Sequence, residues 1–133
     1  MLNKVVARYV DGPVVKGTTA DFFPNKEIFH LSVTGAAPDV EPIEVRMQDL
    51  KALFFVKDYE GDAGHVHRNE FDPARPPVGR AIRVQFKDGE VLVGTTTGYQ
   101  PGRPGFFLEP ADAESNIERC YVVSAAAAEI GFI

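Results

Sequence analysis

The sequence has no tryptophan and only one cysteine, Cys120, among its 133 residues. One cysteine cannot form an intrachain disulfide, so we expect a reducing, cytoplasmic compartment. The longest apolar run, Ala52–Val56, is far shorter than the roughly 20 residues of a membrane span. Residues 1–12 contain no apolar stretch of signal-peptide length, which predicts a chain that is neither secreted nor embedded in a membrane.

Cations are also scarce, because 14 Lys and Arg residues stand against 19 Asp and Glu, for a net charge of −5. Broad binding to nucleic acid needs cations against phosphates, and this balance argues against it. The 44% hydrophobic and 25% charged residues are typical of a soluble globular protein. The 12 glycines and 10 prolines, many beside apolar runs, favour short strands and turns.

An internal repeat organises the chain. Shifting the sequence by 77 residues aligns Lys4–Val56 with Ala81–Ile133 without a gap, and 13 of the 53 aligned positions are identical. Repeats of this kind indicate a duplicated structural unit. The repeat predicts a first unit at residues 1–56, a linker loop at 57–80 and a second unit at 81–133.

Each unit has the pattern of five short strands. Ile82–Phe86 alternates apolar and polar residues, which is typical of a half-buried strand. An Asp-Gly pair then supplies the positive φ of a tight hairpin turn, and a glycine in the next strand allows a sharp bend. A short helical turn over Met47–Ala52 precedes the last strand, Leu53–Val56. The predicted turn and bend residues are Asp11, Gly12, Gly17, Asp88, Gly89 and Gly94.

This pattern resembles the small β-barrels of the Sm-like and Src-homology-3-like kind. The resemblance rests on Tyr9-x-Asp11-Gly12 and Phe86-x-Asp88-Gly89, each followed by the strand glycine, and it extends to an uncharacterised bacterial family with a duplicated Asp-Gly signature. It implies an all-β fold of two tandem five-stranded barrels related by duplication. Units of about 60 residues are marginal alone, so we expect the two barrels to pack on each other.

Aromatic residues that occur in one unit only are candidates for a contact surface. Their partners at the 77-residue shift are Gln, Gly, His and Glu, which do not fit a deep core. Such aromatics cover either the contact between the units or a patch for a partner or a second copy. These residues are Phe23, Phe54, Phe107 and Tyr121.

No constellation of catalytic residues is evident. The sequence has no Gly-x-Ser-x-Gly elbow and no glycine-rich nucleotide loop, and Cys120 lies in an apolar strand where a buried, inert thiol is expected. His65 and His67, with nearby carboxylates, have the residue types of a metal site, but their Gly- and Pro-rich surroundings favour a solvated loop. We therefore predict no enzyme, no metal site and no cofactor.

The resemblance to Sm-like proteins raises RNA binding as an alternative. In that family an Asp and an Asn after the second strand, and an Arg-Gly pair near the fourth, form the base pocket. Asp21 and Asn25 match loosely, but neither unit has the Arg-Gly pair. A weaker resemblance to cyclic-dinucleotide-binding PilZ barrels fails because the stretch after Asp21 lacks the Ser and the Gly of that motif.

The sequence thus predicts a non-catalytic binding or interaction module of a bacterial cytoplasm. A protein partner or a homo-oligomer is favoured over nucleic acid, and RNA binding is the alternative. Arg103, in the turn that follows the second strand of the second unit, is the candidate contact for an anion. The predicted interface comprises Asp21, Phe23, Asn25, Phe54, Arg103, Phe107 and Tyr121.

Overall fold

The computed structural model describes residues 3–24, 26–37, 39–57, 79–111 and 117–133, and its regular elements are strands and two 3₁₀ turns. The strands of the first half (residues 3–57) are β1 (Asn3–Tyr9), β2 (Val14–Thr19), β3 (Ile28–Val33), β4 (Ile43–Arg46) and β5 (Leu50–Val56). Those of the second half (residues 79–133) are β6 (Arg80–Phe86), β7 (Val91–Thr96), β8 (Gly105–Pro110), β9 (Ile117–Val123) and β10 (Ala127–Phe132). The 3₁₀ turns are Met47–Asp49 and Ser124–Ala126.

The ten strands form one antiparallel sheet in the order β10-β6-β7-β8-β9-β5-β1-β2-β3-β4. The all-β prediction is therefore confirmed. The sheet is open, with β10 and β4 at its two edges, and two separately closed barrels are not shown. The halves are joined within the sheet by the pairing of β9 with β5.

The two halves use the same strand order. Within the first half the order is β5-β1-β2-β3-β4, and within the second it is β10-β6-β7-β8-β9. The bounds of β1, β2 and β3 recur 77 residues later in β6, β7 and β8, as do those of the 3₁₀ turns.

The predicted turn and bend glycines have clear physical roles. Gly12 and Gly89 have φ values of +113° and +94°, which side-chain-bearing residues rarely adopt. Gly17 and Gly94 have ordinary φ values, but a Cβ at either would overlap a carbonyl oxygen of the next strand, that of Ser32 or of Glu109. The bent second strand of each half therefore depends on the absence of a side chain where the next strand crosses closely.

Each half has its own apolar core, and each core takes residues from the other half. The first core contains Phe29, Leu31 and Leu53 of the first half together with Tyr121 and Val123 of β9. The second core contains residues of β6 to β9 together with Ala52, Phe54 and Val56 of β5. All seven residues of β5 are buried, because one face of the strand serves each core.

The last strand of the first half starts earlier than predicted. The 3₁₀ turn ends at Asp49, and Leu50 already has extended dihedral angles. Such a short helical segment has no stability of its own, so the chain becomes extended as soon as β5 can pair with β1. Of the predicted linker, residues 58–78 lie outside the described ranges, and Arg80 belongs to β6. No helix in the described ranges is long and apolar enough to cross a membrane.

Candidate functional site at the junction of the two halves

The junction is a strand pairing with opposed side chains. In the register of β5 and β9, Leu53 lies opposite Tyr121 and Phe54 lies opposite Cys120. Phe54 and Tyr121 are 5% and 2% exposed, so each aromatic is buried at the joint. Burial raises the pKa of the Tyr121 hydroxyl and also raises that of the Cys120 thiol well above its usual range. Cys120 is thus the buried thiol that the sequence predicted.

A cluster of aromatic rings crosses the junction on the side of the first core. The Phe107 ring centroid lies 5.2 Å from that of Tyr121 and 6.2 Å from that of Phe55. Phe22 packs edge-on against Tyr121 at 5.3 Å. The Arg119 guanidinium lies 4.4 Å from the Phe55 ring centroid and 4.8 Å from that of Phe107. These contacts stabilise the joint by cation–π and edge-to-face packing.

An ionic network spans the junction as well. The Lys51 Nζ donates hydrogen bonds to Asp88 Oδ2 at 2.8 Å and to Glu90 Oε1 at 2.9 Å, and it lies 4.6 Å from the centroid of the Phe86 ring. Arg8 Nη1 reaches Glu90 Oε2 at 3.3 Å. The Lys51 side chain is 8% exposed, whereas both carboxylates are far more exposed. The hydrogen bond from Lys51, aided by one from the Glu90 backbone, lowers the pKa of Asp88.

An open groove of about 860 Å³ lies between the halves. The loop before β3 and the end of β4 form one side, and the loop before β8 and the end of β9 form the other. Of the residues that the structure describes, three cations, Lys26, Arg46 and Arg103, line it against one carboxylate, that of Glu27. Its other lining residues are Pro24, Ile28, Met47, Gln48, Gly102, Pro104, Tyr121, Val123, Ser124 and Ala125.

The groove is lined by corresponding segments of the two halves. Lys26 and Arg103 occupy equivalent positions at the 77-residue shift, and both face the same groove. Arg46 corresponds to Val123 and therefore adds a third cation on the first-half side only. The result is an apolar groove whose margins carry positive charge in an otherwise acidic protein, which suits an anionic ligand.

The predicted interface residues separate into groups. Arg103 and Tyr121 line the groove, and Phe54 and Phe107 pack at the junction. Phe23 is 49% exposed in the loop before β3, with Lys26 Nζ 4.9 Å from its ring centroid.

Asp21 makes local contacts instead. Its carboxylate accepts hydrogen bonds from the Thr19 hydroxyl and the His30 backbone N–H, and its Oδ2 lies 2.7 Å from His30 Nδ1. Burial alone would raise the pKa of Asp21, but these bonds outweigh it and lower the pKa. Asn25, His65 and His67 lie outside the described residues.

Sequence reasoning missed the charged residues of the junction. Aromatic residues that differ between the units indicated the junction, and charged residues differ between the units in the same way. Lys51 corresponds to Ala128, Arg119 to Pro42 and Arg46 to Val123. A cation present in one unit only was therefore the signal that would have identified Lys51 of the ionic network and Arg46 of the groove.

The fold and the groove define an all-β protein with one open antiparallel sheet and a cation-lined groove where its halves meet. The sequence profile of one protein family matches residues 1–133, and the chain belongs to that family, which is described as a family of unknown function, DUF6982. No match was found among curated proteins. None was found among solved structures.

Proposed function

We propose that this protein is a non-catalytic binding module that holds an acidic segment of a protein partner in the groove between its halves. The observation that carries the proposal is the convergence of Lys26, Arg46 and Arg103 on one open groove. Guanidinium groups bind carboxylates through paired hydrogen bonds, and exposed ends of long cations adapt to ligands of different shape. The more exposed apolar lining residues, Ile28, Met47 and Pro104, suit the side chains of such a segment.

The groove chemistry supports binding rather than catalysis. Within the described ranges, Ser124 is the one serine that lines the groove, and no histidine lines it to activate that serine. A serine nucleophile needs an adjacent base within hydrogen-bond reach. Among the described residues, no group of three His, Cys, Asp or Glu side chains has the arrangement of a metal site.

Single-stranded RNA is the second candidate, because an exposed ring beside cations is what such binding uses. Phe23 is half exposed, and its ring lies under Lys26, which lines the groove. The net charge of −5 disfavours a long polyanion, whereas a short acidic segment needs only the local field of the groove. We therefore place the protein partner first.

The test is fluorescence anisotropy with three labelled probes: a deca-glutamate peptide, oligo-U and oligo-A. The variant K26Q/R46Q/R103Q removes the cations of the groove. The matched control K57Q/R83Q/K87Q removes three exposed cations that do not line it. We expect peptide binding at low salt that weakens at least about tenfold in the groove variant and little in the control.

Each outcome discriminates. Binding of the oligonucleotides in preference to the peptide, with a salt slope of about −2 for three phosphate contacts, would favour RNA. Equal weakening in the groove variant and the control would contradict a specific site. No binding of any probe at low salt would remove the groove proposal altogether.

We also propose that the chain arose by duplication of one five-stranded Sm-like unit and that it acts in a bacterial cytoplasm. The shared strand order of the halves and the 77-residue sequence repeat support the duplication. An experimental structure in which the halves superpose poorly would contradict it.

A further inference from the structure

We propose that the two outer edges of the sheet pair between copies of this chain, with β10 of one molecule antiparallel to β4 of the next. The pairing of β9 with β5 inside the molecule, which we call the inner joint, supplies the template for this contact. The proposed pairing of β10 with β4 between molecules is the outer joint. At the 77-residue shift β10 corresponds to β5, and β4 lies within the counterpart of β9. The strands that pair inside the molecule, β5 and β9, therefore have their counterparts, β10 and β4, at the two outer edges of the sheet.

Apolar residues at the outer edges lack the cover that the inner joint provides. Phe132 is 41% exposed, whereas its counterpart Phe55 is 3% exposed. Ile43 is 36% exposed, whereas its counterpart Cys120 is fully buried. Unpaired backbone groups and apolar side chains on one edge strand make a template for another strand.

Charge also favours this pairing. Asp39, Glu41 and Glu44 lie on or just before β4, against the single cation Arg46. At the other edge two arginines lie on β6, the strand next to β10, against one carboxylate on β10 itself, that of Glu129. Arg80 lies 3.6 Å from the Phe132 ring centroid, and Arg83 is opposite Gly131 in the β6–β10 register. The β4 edge is net negative and the β10 edge is net positive, so the two attract each other, whereas two β4 edges would repel.

The inner register predicts the outer one. The Phe54–Cys120 and Leu53–Tyr121 pairs become Gly131 opposite Ile43 and Ile130 opposite Glu44. The outer joint therefore buries less apolar surface than the inner joint, and β4 has four residues where β9 has seven. We expect a weaker, concentration-dependent association that lengthens as a head-to-tail chain or closes into a ring.

Cysteine trapping tests the geometry directly. Gly131→Cys is tolerated because its Cβ meets no atom within 4 Å, and Ile43→Cys is at an exposed site. Directly opposed residues on antiparallel strands have Cβ atoms about 4.5–5.5 Å apart, which a short bismaleimide bridges. We expect a covalent dimer of twice 14.6 kDa only when the G131C and I43C proteins are mixed. Cys120 does not interfere because it is buried.

The control replaces Ile43→Cys by Val33→Cys, which has the same 36% exposure but lies on β3, the strand inside the edge strand β4, so it tests the register of the contact. Cross-linking of V33C with G131C to the same extent would show random collision. Self-cross-linking of I43C alone would show β4–β4 pairing. Either result, or the absence of any mixed dimer, would overturn the proposal.

Sedimentation equilibrium of the unmodified protein gives a second measurement, over about 10 μM to 1 mM, a range that captures weak association. The average mass is expected to rise above 14.6 kDa with concentration. Ile43→Lys should abolish the rise and Val33→Lys should leave it unchanged. A constant monomer mass over the whole range would refute the inference. Neither measurement depends on what the groove binds.

Discussion

The partners in the ionic network around Lys51 are unequally buried, so we predict that replacing them changes the free energy of unfolding by unequal amounts. The Lys51 ammonium is nearly buried, with a side-chain exposure of 8%, whereas the Asp88 and Glu90 side chains are 55% and 43% exposed. Neutralising the two carboxylates leaves a buried cation with weakened partners, which should lower the free energy of unfolding by about 3 kcal/mol. Lys51→Met keeps the packing of the stem and leaves carboxylates that water solvates, so it should cost less than about 1 kcal/mol.

The assay is urea unfolding followed by circular dichroism, because the chain has no tryptophan. The double variant D88N/E90Q keeps the Asp88 side-chain oxygen that accepts the Glu90 N–H at 3.0 Å, so the turn is preserved. A loss of about 3 kcal/mol corresponds to a fall in Tm of roughly 10 °C for a domain of this size. The triple variant that includes Lys51→Met should recover most of that loss, because no unpaired buried charge remains.

The control D39N/E41Q neutralises two exposed carboxylates and should change the free energy of unfolding by less than about 0.5 kcal/mol. The folded pKa of Asp88 is below its ordinary value of 3.8, so its contribution is present above that pH and is lost as the pH falls through the folded value. The wild type should lose this contribution below about pH 4, and D88N/E90Q should not. If Lys51→Met destabilised the protein as much as D88N/E90Q does, the argument from unequal burial would be wrong.

Three further predictions rest on single side chains. Gly94→Ala should destabilise the protein by at least about 2 kcal/mol in urea unfolding, because its Cβ would overlap the next strand. Gly98→Ala has open space around it and should change the free energy of unfolding by less than about 0.5 kcal/mol. Equal effects of the two variants would contradict the close crossing of the strands. The Cys120 thiol should react with Ellman's reagent only on unfolding, since burial raises its pKa, and rapid reaction of the folded protein would disprove that burial. Asp21→Asn should reduce the acid-dependent loss of stability below about pH 4, because hydrogen bonds from His30 and Thr19 lower the folded pKa of Asp21 below 3.8. Acid unfolding that is unchanged in this variant would show that these hydrogen bonds contribute nothing to stability.

The local structure was largely predictable from the sequence. The alternation in Ile82–Phe86 predicted β6, and the Asp-Gly pairs predicted turns whose glycines have positive φ. Gly17 and Gly94 were predicted to allow a bend, and their lack of a side chain admits the neighbouring strand. These features are encoded within a few residues, so no knowledge of the remote chain was needed.

The junction was less predictable because it depends on pairing between remote strands. Phe54 and Tyr121 correspond to Gly131 and Glu44, which suggested positions outside a deep core, yet both aromatics are buried. The reason is that β5 and β9 are covered by the other half of the molecule, whereas the corresponding strands, β10 and β4, are at the sheet edges and face solvent. The uninterrupted apolar run Ala52–Val56 was the available signal, since continuous apolarity is typical of a strand buried on both faces.

Of the candidate groove, the sequence indicated only Arg103 and Tyr121. Arg46 was missed because its counterpart, Val123, is an apolar residue that packs in the first core. Whether a cation at the end of a strand points to solvent or to a groove depends on which strand of the other half lies beside it. That information is tertiary, and periodicity in one unit does not contain it.

Strand β5 contributes residues to both cores, and this limits how the chain can be divided into fragments. A fragment ending at Val56 would leave Ala52, Phe54 and Val56 without the second core that covers them. A fragment starting at Arg80 would lose those same residues from its interior. We therefore expect the protein to unfold as a single cooperative unit and neither half to fold when it is expressed without the other.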